Sequence, residues 1–190
     1  FGRVNPKGSL SLGSLRKEVR HTLCGDNWND FDVANCHPEI LFQLCKSNGI
    51  VSPALGRYVS NREPCLAEVA ALFKSDVDAE TARDAAKILY IRIMYGGDGA
   101  RWCEEKKDEL VDNPTLPKLV SEMQGEVATI SKMMQQCNPQ MVAAVHAQRK
   151  ASGKTKKKFD GSFLSYYAQE WERRVLETVF SMMLGKGHIT

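Results

Sequence analysis

Residues 83–97 read RDAAKILYIRIMYGG, a run with helical periodicity that ends in two glycines. Ser75, Asp76 and Asp78 just upstream offer helix N-caps. The sequence Tyr95-Gly96-Gly97-Asp98-Gly99 is a strong stop, so the pattern predicts a helix from about Ala79 to Met94. On that helix Arg83, Lys87, Ile91 and Tyr95 recur every four residues and form one slowly drifting stripe. Two cations one turn apart can neutralise a polyphosphate, while the apolar residue and the tyrosine beyond them suit a flat ring and a sugar. The same spacing is also met in an ordinary cationic solvent face.

Working towards the N-terminus, Glu63–Lys74 places Leu66, Val69, Ala70 and Phe73 at helical spacing behind Pro64. Ser47–Gly56 reads as a turn region. Pro38 opens a buried helix over Glu39–Cys45. Asn27–Asn35 alternates polar and apolar residues like a short strand, and Phe1–Ser14 is loop-like. Towards the C-terminus, Ala100–Val111 reads as a solvated helix. Pro114 and Pro117 start another that runs to about Gln136, and Pro139 starts a third that ends near Arg149. Arg149–Lys158 (RKASGKTKKK) holds six cations and no acid. Ser162–Leu184 is a long amphipathic helix. The expected class is α+β, mainly helical.

The chain has 190 residues, with 26 Lys and Arg against 23 Asp and Glu, 43% hydrophobic and 26% charged residues. This is enough to bury a core and excludes disordered, collagen-like and disulfide-scaffold classes. No run of about 18 apolar residues is present, so no membrane span is expected. The six cysteines are scattered singly and form no CxxC pair. They read as buried thiols in a reducing, intracellular compartment, with a zinc site as the alternative. A net charge of +3 is too small to diagnose nucleic-acid binding, so that inference rests on local basic clusters.

The spacing Arg-x3-Lys-x3-Ile-x3-Tyr-Gly resembles motif B of the family A DNA polymerases, the DNA polymerase I type. Arg83, Lys87, Tyr95 and Gly96 match in order and spacing, and Ile91 stands where the family has an aromatic residue. Two further segments fall in the family's order. Gly2-Arg3 resembles the Thr-Gly-Arg segment before the palm, and Arg16–Arg20 the basic run that leads into motif A. FDVANCHPEIL, residues 31–41, is similar to motif A itself, with Asp32 at the metal-binding position. His37 occupies the place of the glutamate that crowds the sugar 2′ position. The Asp-x2-Asn-x-His-Pro variant resembles the divergent branch of viruses and mobile elements, often joined to a helicase.

The resemblance implies a partial right-hand palm with a helical fingers subdomain. Residues 1–60 would be palm with motif A, 61–150 fingers, and 151–190 a return to the palm along the C-terminal helix. It also implies nucleotidyl transfer to a primer 3′ hydroxyl with two Mg²⁺ ions, one of them held by Asp32 and the carbonyl of Val33. Arg83 and Lys87 would neutralise the triphosphate, and Lys87 would protonate the pyrophosphate. Ile91, Tyr95 and His37 would line the base and sugar. Primer–template DNA would meet Arg3, Arg16, Arg20, Lys154, Lys156 and Lys157. The expected partners are primer–template DNA, deoxynucleoside triphosphates and a fused or associated helicase.

Each of these residues has a plainer reading. Asp32 is equally a strand-end cap, with Asp30 as a rival ligand, and His37 a helix-start residue bonded locally. Arg149–Lys158 is equally a solvated loop. The C-terminal helix, with Ser165, Gln169 and Arg173 on one face, stands where the family reads the minor groove. The family's motif C, with the second metal-binding aspartate, is not found after Asp160, and the thumb would lie upstream of Arg3. The expected function is therefore the palm–fingers part of a template-directed DNA polymerase. The alternative is a non-catalytic, polymerase-derived module that binds nucleic acid or protein.

Overall fold

The computed structural model describes residues 18–19, 22, 35–153 and 159–185. Its fully described helices are α1 (Cys36–Ser47), α2 (Pro53–Ser60), α3 (Arg62–Ala70) and α4 (Ala79–Met94). They are followed by α5 (Gly99–Glu105), α6 (Lys118–Cys137), α7 (Pro139–Ala151) and α8 (Phe159–Gly185). Among the described residues the β content is one isolated antiparallel bridge, Phe73 with Leu110. The protein is thus mainly helical. Of the strand expected at residues 27–35, residues 27–34 lie outside the described residues, and Asn35 is a turn residue at the start of α1.

Helix α4 occupies the span its sequence signals predict. The Asp78 side chain accepts from the Thr81 N–H at 2.9 Å and so satisfies a donor that the helix start leaves open. Ala82, Ala85, Ala86, Leu89, Tyr90, Ile93 and Met94 form its buried face. The three alanines are short enough to let α3 pack close, and Tyr90 stacks on Tyr58 of α2 with ring centroids 4.4 Å apart. At its other end the helix closes with Gly96 at φ +68°, the left-handed conformation that suits glycine. The Gly97 N–H reaches the Arg92 carbonyl and the Gly96 N–H the Ile93 carbonyl, the paired bonds of a Schellman cap.

Helix α6 is the central strut, packing on α2, α4, α7 and α8. Leu119, Met123, Val127, Ile130 and Met134 are buried along it, at the spacing that puts one face of a helix inside. One continuous core runs from Leu41 of α1 to Tyr167 of α8, so the described parts of the three expected subdivisions share a single interior.

Four expectations are corrected. Residues 53–56, expected as the end of a turn region, instead begin α2. Pro53 sits at the first helical position, and Glu126 of α6 accepts from the Ala54 and Leu55 N–H groups at 3.1 and 2.7 Å. This carboxylate caps the helix from 71 or more residues away in the chain, which local sequence does not reveal. Helix α3 ends at Ala70 rather than Lys74, and α5 at Glu105 rather than Val111. In both cases the following residues instead pair across the bridge, Lys74 N–H to Glu109 and Val111 N–H to Leu72. Pro38 is the third residue of α1, not its first, and is tolerated because first-turn N–H groups lack helical partners anyway.

Cys45 and Cys65 are buried, Cys36 and Cys103 half-buried, and Cys137 is exposed; Cys45, Cys65, Cys103 and Cys137 are free thiols. Burial pushes the Cys45 thiol up to about 11, away from thiolate chemistry. Among the described residues no helix is long and apolar enough to cross a membrane.

Candidate functional site

Three elements distant in sequence meet at the C-terminal end of α4. Asn35 precedes α1 with φ +55°, a left-handed conformation that asparagine tolerates. It turns the chain into the helix, so that His37 on the first turn faces α4 and α8. The His37 Nδ1 lies in hydrogen-bond contact with the Tyr95 hydroxyl. Its Nε2 lies 3.1 Å from Oε2 of Glu172 on α8. The His37 and Tyr95 rings meet edge to face with centroids 6.1 Å apart. The His37 and Glu172 side chains are 15% and 20% exposed, so water weakens their pairing only in part.

Tyr95 is held from behind. Gly161, in the first turn of α8, comes so close that a Cβ placed there would lie 1.9 Å from the Tyr95 carbonyl oxygen. Asp160 beside it accepts from Gln135 of α6 at 2.7 Å. On the other side of the glycine turn, Arg92 makes a two-pronged pair with Glu105 of α5, both bonds 2.8 Å. Those bonds hold the Glu105 carboxyl down at about 2. The turn after α4 is therefore clamped between α5 and α8.

The rest of the stripe runs back along α4 from Tyr95. Ile91, Lys87 and Arg83 are all exposed. Arg83 is engaged, since its guanidinium makes two 3.0 Å bonds to Glu63 of α3. The structure thus brings His37 and Tyr95 together and places Ile91, Lys87 and Arg83 on the same side of α4. Asp32, Val33, Arg3, Arg16, Arg20, Lys154, Lys156 and Lys157 lie outside the described residues. Among the described residues no cluster of three His, Cys, Asp or Glu side chains could hold a metal ion.

On α8 the polar face is largely self-satisfied. Gln169 donates to Ser165 at 3.2 Å, and Arg173 pairs with both Glu170 and Glu177. Glu170 is buried and also accepts from Arg174, whose guanidinium lies over Trp171 at 4.9 Å. Cys36 and Trp171, the neighbours of His37 and Glu172, line a groove of about 680 Å³ together with Ile40, Leu44, Tyr167 and Val175.

The hydrogen bonds from Arg173 and Arg174 hold the Glu170 carboxyl at about 2, below its ordinary 4.5. Because the folded-state value is depressed, this stabilisation is complete above about pH 4.5 and is lost as pH falls towards 2. Glu170→Gln is expected to cost about 1–2 kcal/mol at pH 7. Parallel thermal melts of the two proteins should converge near pH 2, and an equal gap at both pH values would reject the assignment.

Sequence reasoning missed Glu172. It is one acid among several on a charged helix face, and nothing local sets it apart. It also missed Gly161, whose need for a bare Cα arises only from the Tyr95 backbone across the contact.

No family model matches the chain, and no solved structure matches it. One curated protein is similar: "Putative helicase V13" of Sputnik virophage, 36% identical over 96 residues. That match covers 50% of this chain and 12% of the relative, so the chain spans only a small part of the protein it resembles.

Proposed function

We propose that this chain is the palm–fingers part of a family A-like DNA polymerase that adds deoxynucleotides to a primer 3′ hydroxyl on a template. The observation that carries the reading is the meeting of His37 and Tyr95 at the end of a helix whose same side offers Ile91, Lys87 and Arg83. A triphosphate laid along α4 would set its phosphates against Lys87 and Arg83 and its sugar against Tyr95 and His37. In the transfer, the primer 3′ hydroxyl gives up its proton to water, and its oxygen bonds to the α-phosphorus as the bond from that phosphorus to pyrophosphate breaks. Lys87 gives a proton to the departing pyrophosphate. Asp32 and the carbonyl of Val33 would hold Mg²⁺, which supplies activation of the primer hydroxyl. The name of the viral relative, a helicase, and its much greater length fit a polymerase segment joined to a helicase.

Template-dependent primer extension by the complete protein is the direct test. In that assay His37→Ala should raise the ratio of ribonucleotide to deoxynucleotide incorporation; an unaltered ratio would remove His37 from the sugar pocket.

A second reading, a non-catalytic module that binds nucleic acid or protein, is favoured by one observation. Arg83 is already neutralised by Glu63, which leaves the stripe with less free positive charge than catalysis on a triphosphate would use. Primer–template binding without extension by the complete protein would support this second reading.

A further inference from the structure

We infer that Glu172 is a positioning residue, which acts through His37 to set the direction of the hydrogen bond made by the Tyr95 hydroxyl. A carboxylate can only accept, so the His37 nitrogen facing Glu172, Nε2 at 3.1 Å, is the one that carries the proton. In the neutral ring Nδ1 is then bare and can only accept. The Tyr95 O–H must therefore donate to it, and the tyrosine oxygen turns its lone pairs away from the ring. A hydroxyl or amine of a ligand that reaches Tyr95 is received by an acceptor.

Without Glu172, His37 is free to place its proton on either nitrogen. Whenever it sits on Nδ1, the ring donates to the Tyr95 oxygen and the tyrosine proton turns outward. The same tyrosine then offers a donor where it had offered an acceptor. The three residues lie 58 and 135 positions apart in pairs, on α1, α4 and α8, so this control exists only in the folded chain.

The arrangement itself stands on geometry; its consequence for a sugar hydroxyl rests on the nucleotide reading of Tyr95. The experiment therefore has two arms. In the first, ¹⁵N imidazole NMR reads the His37 tautomer in the 190-residue chain. The wild type should show a protonated Nε2 and a bare Nδ1. Glu172→Ala should give a mixture of tautomers, while Glu172→Gln, which keeps an acceptor oxygen, should largely restore the single form. Tyr95→Phe should leave the tautomer unchanged, because the carboxylate still holds it. A single unchanged tautomer in Glu172→Ala would overturn the inference, and so would a tautomer that follows Tyr95→Phe instead. If Glu172→Ala does not fold, a tautomer lost in Tyr95→Phe still rejects the proposed direction of control, and one retained there supports it.

In the second arm the complete protein is assayed for kcat/KM with ribo- and deoxynucleotides. Glu172→Ala should change their ratio about tenfold, the effect of one hydrogen bond, mainly through KM. Glu172→Gln should stay near wild type. Tautomers as expected in a protein that extends no primer would refute the polymerase reading and leave the positioning role standing. Extension with a ratio and tautomer indifferent to Glu172 would do the reverse.

Discussion

Gly161→Ala is expected to destabilise the chain by roughly 3 kcal/mol, a large overpacking penalty. The new methyl would lie 1.9 Å from the Tyr95 carbonyl oxygen and 2.9 Å from its carbon. The obstacle is backbone on both sides, so no rotamer change relieves it. Either α8 withdraws from the end of α4 or the Schellman turn at Gly96 distorts. Both routes break contacts around Phe163 and Tyr167, whose rings stack with centroids 5.5 Å apart beside this junction. For a chain of this size that cost lowers the melting temperature by about 6–12 °C. Gly125→Ala is the control. Gly125 lies within α6 with no neighbour within 4 Å of an added Cβ. There the substitution should stabilise by roughly 0.5–1 kcal/mol through helix propensity and loss of unfolded-state freedom. Equal melting temperatures for Gly161→Ala and the wild type would show that α4 and α8 do not meet as described. Because the displaced atom belongs to Tyr95, the same variant should also disturb the His37 contact.

Lys87→Ala is expected to abolish primer extension by the complete protein, with a loss of about 10²–10³-fold in kcat, while the fold is kept. Lys87 is exposed near the middle of α4 and is not part of the buried core, so its removal should leave the core intact. Its neighbour on the stripe, Arg83, must first leave Glu63 before it can serve a triphosphate, whereas among the described residues no carboxylate pairs with Lys87. The larger share of charge neutralisation at the phosphates therefore falls on Lys87. A melting curve that matches wild type, together with retained primer–template binding, would separate lost chemistry from lost structure. Unchanged extension would reject the role of Lys87. Binding that persists in a protein without any extension would favour the non-catalytic module.

Much of the helical layout was readable before any contact was known. Asp78 as a cap, the stop at Gly96-Gly97, and the proline starts at Pro117 and Pro139 are signals within a few residues of the ends they set. The aromatic run on α8 was readable too, because Phe163, Tyr167 and Trp171 follow one helical face, although the helix starts at Phe159 rather than Ser162. What could not be read depended on partners elsewhere. The start of α2 reads as a turn in the sequence because its cap, Glu126, sits on α6. The ends of α3 and α5 were overrun because the residues after them exchange helical bonds for the Phe73–Leu110 bridge. In the candidate site, the stripe on α4 was legible from spacing alone. That Arg83 is tied to Glu63 was not, since it depends on α3 lying against α4.

The sequence by itself determined where most helices run and which residues share the exposed stripe of α4, because caps, breakers and periodicity act over one or two turns. Only the tertiary structure decided that His37, Tyr95 and Glu172 converge, and that Gly161 must remain bare. Those contacts join residues 58 and 135 positions apart. Their geometry comes from how the helices stack on α6, which no local propensity encodes.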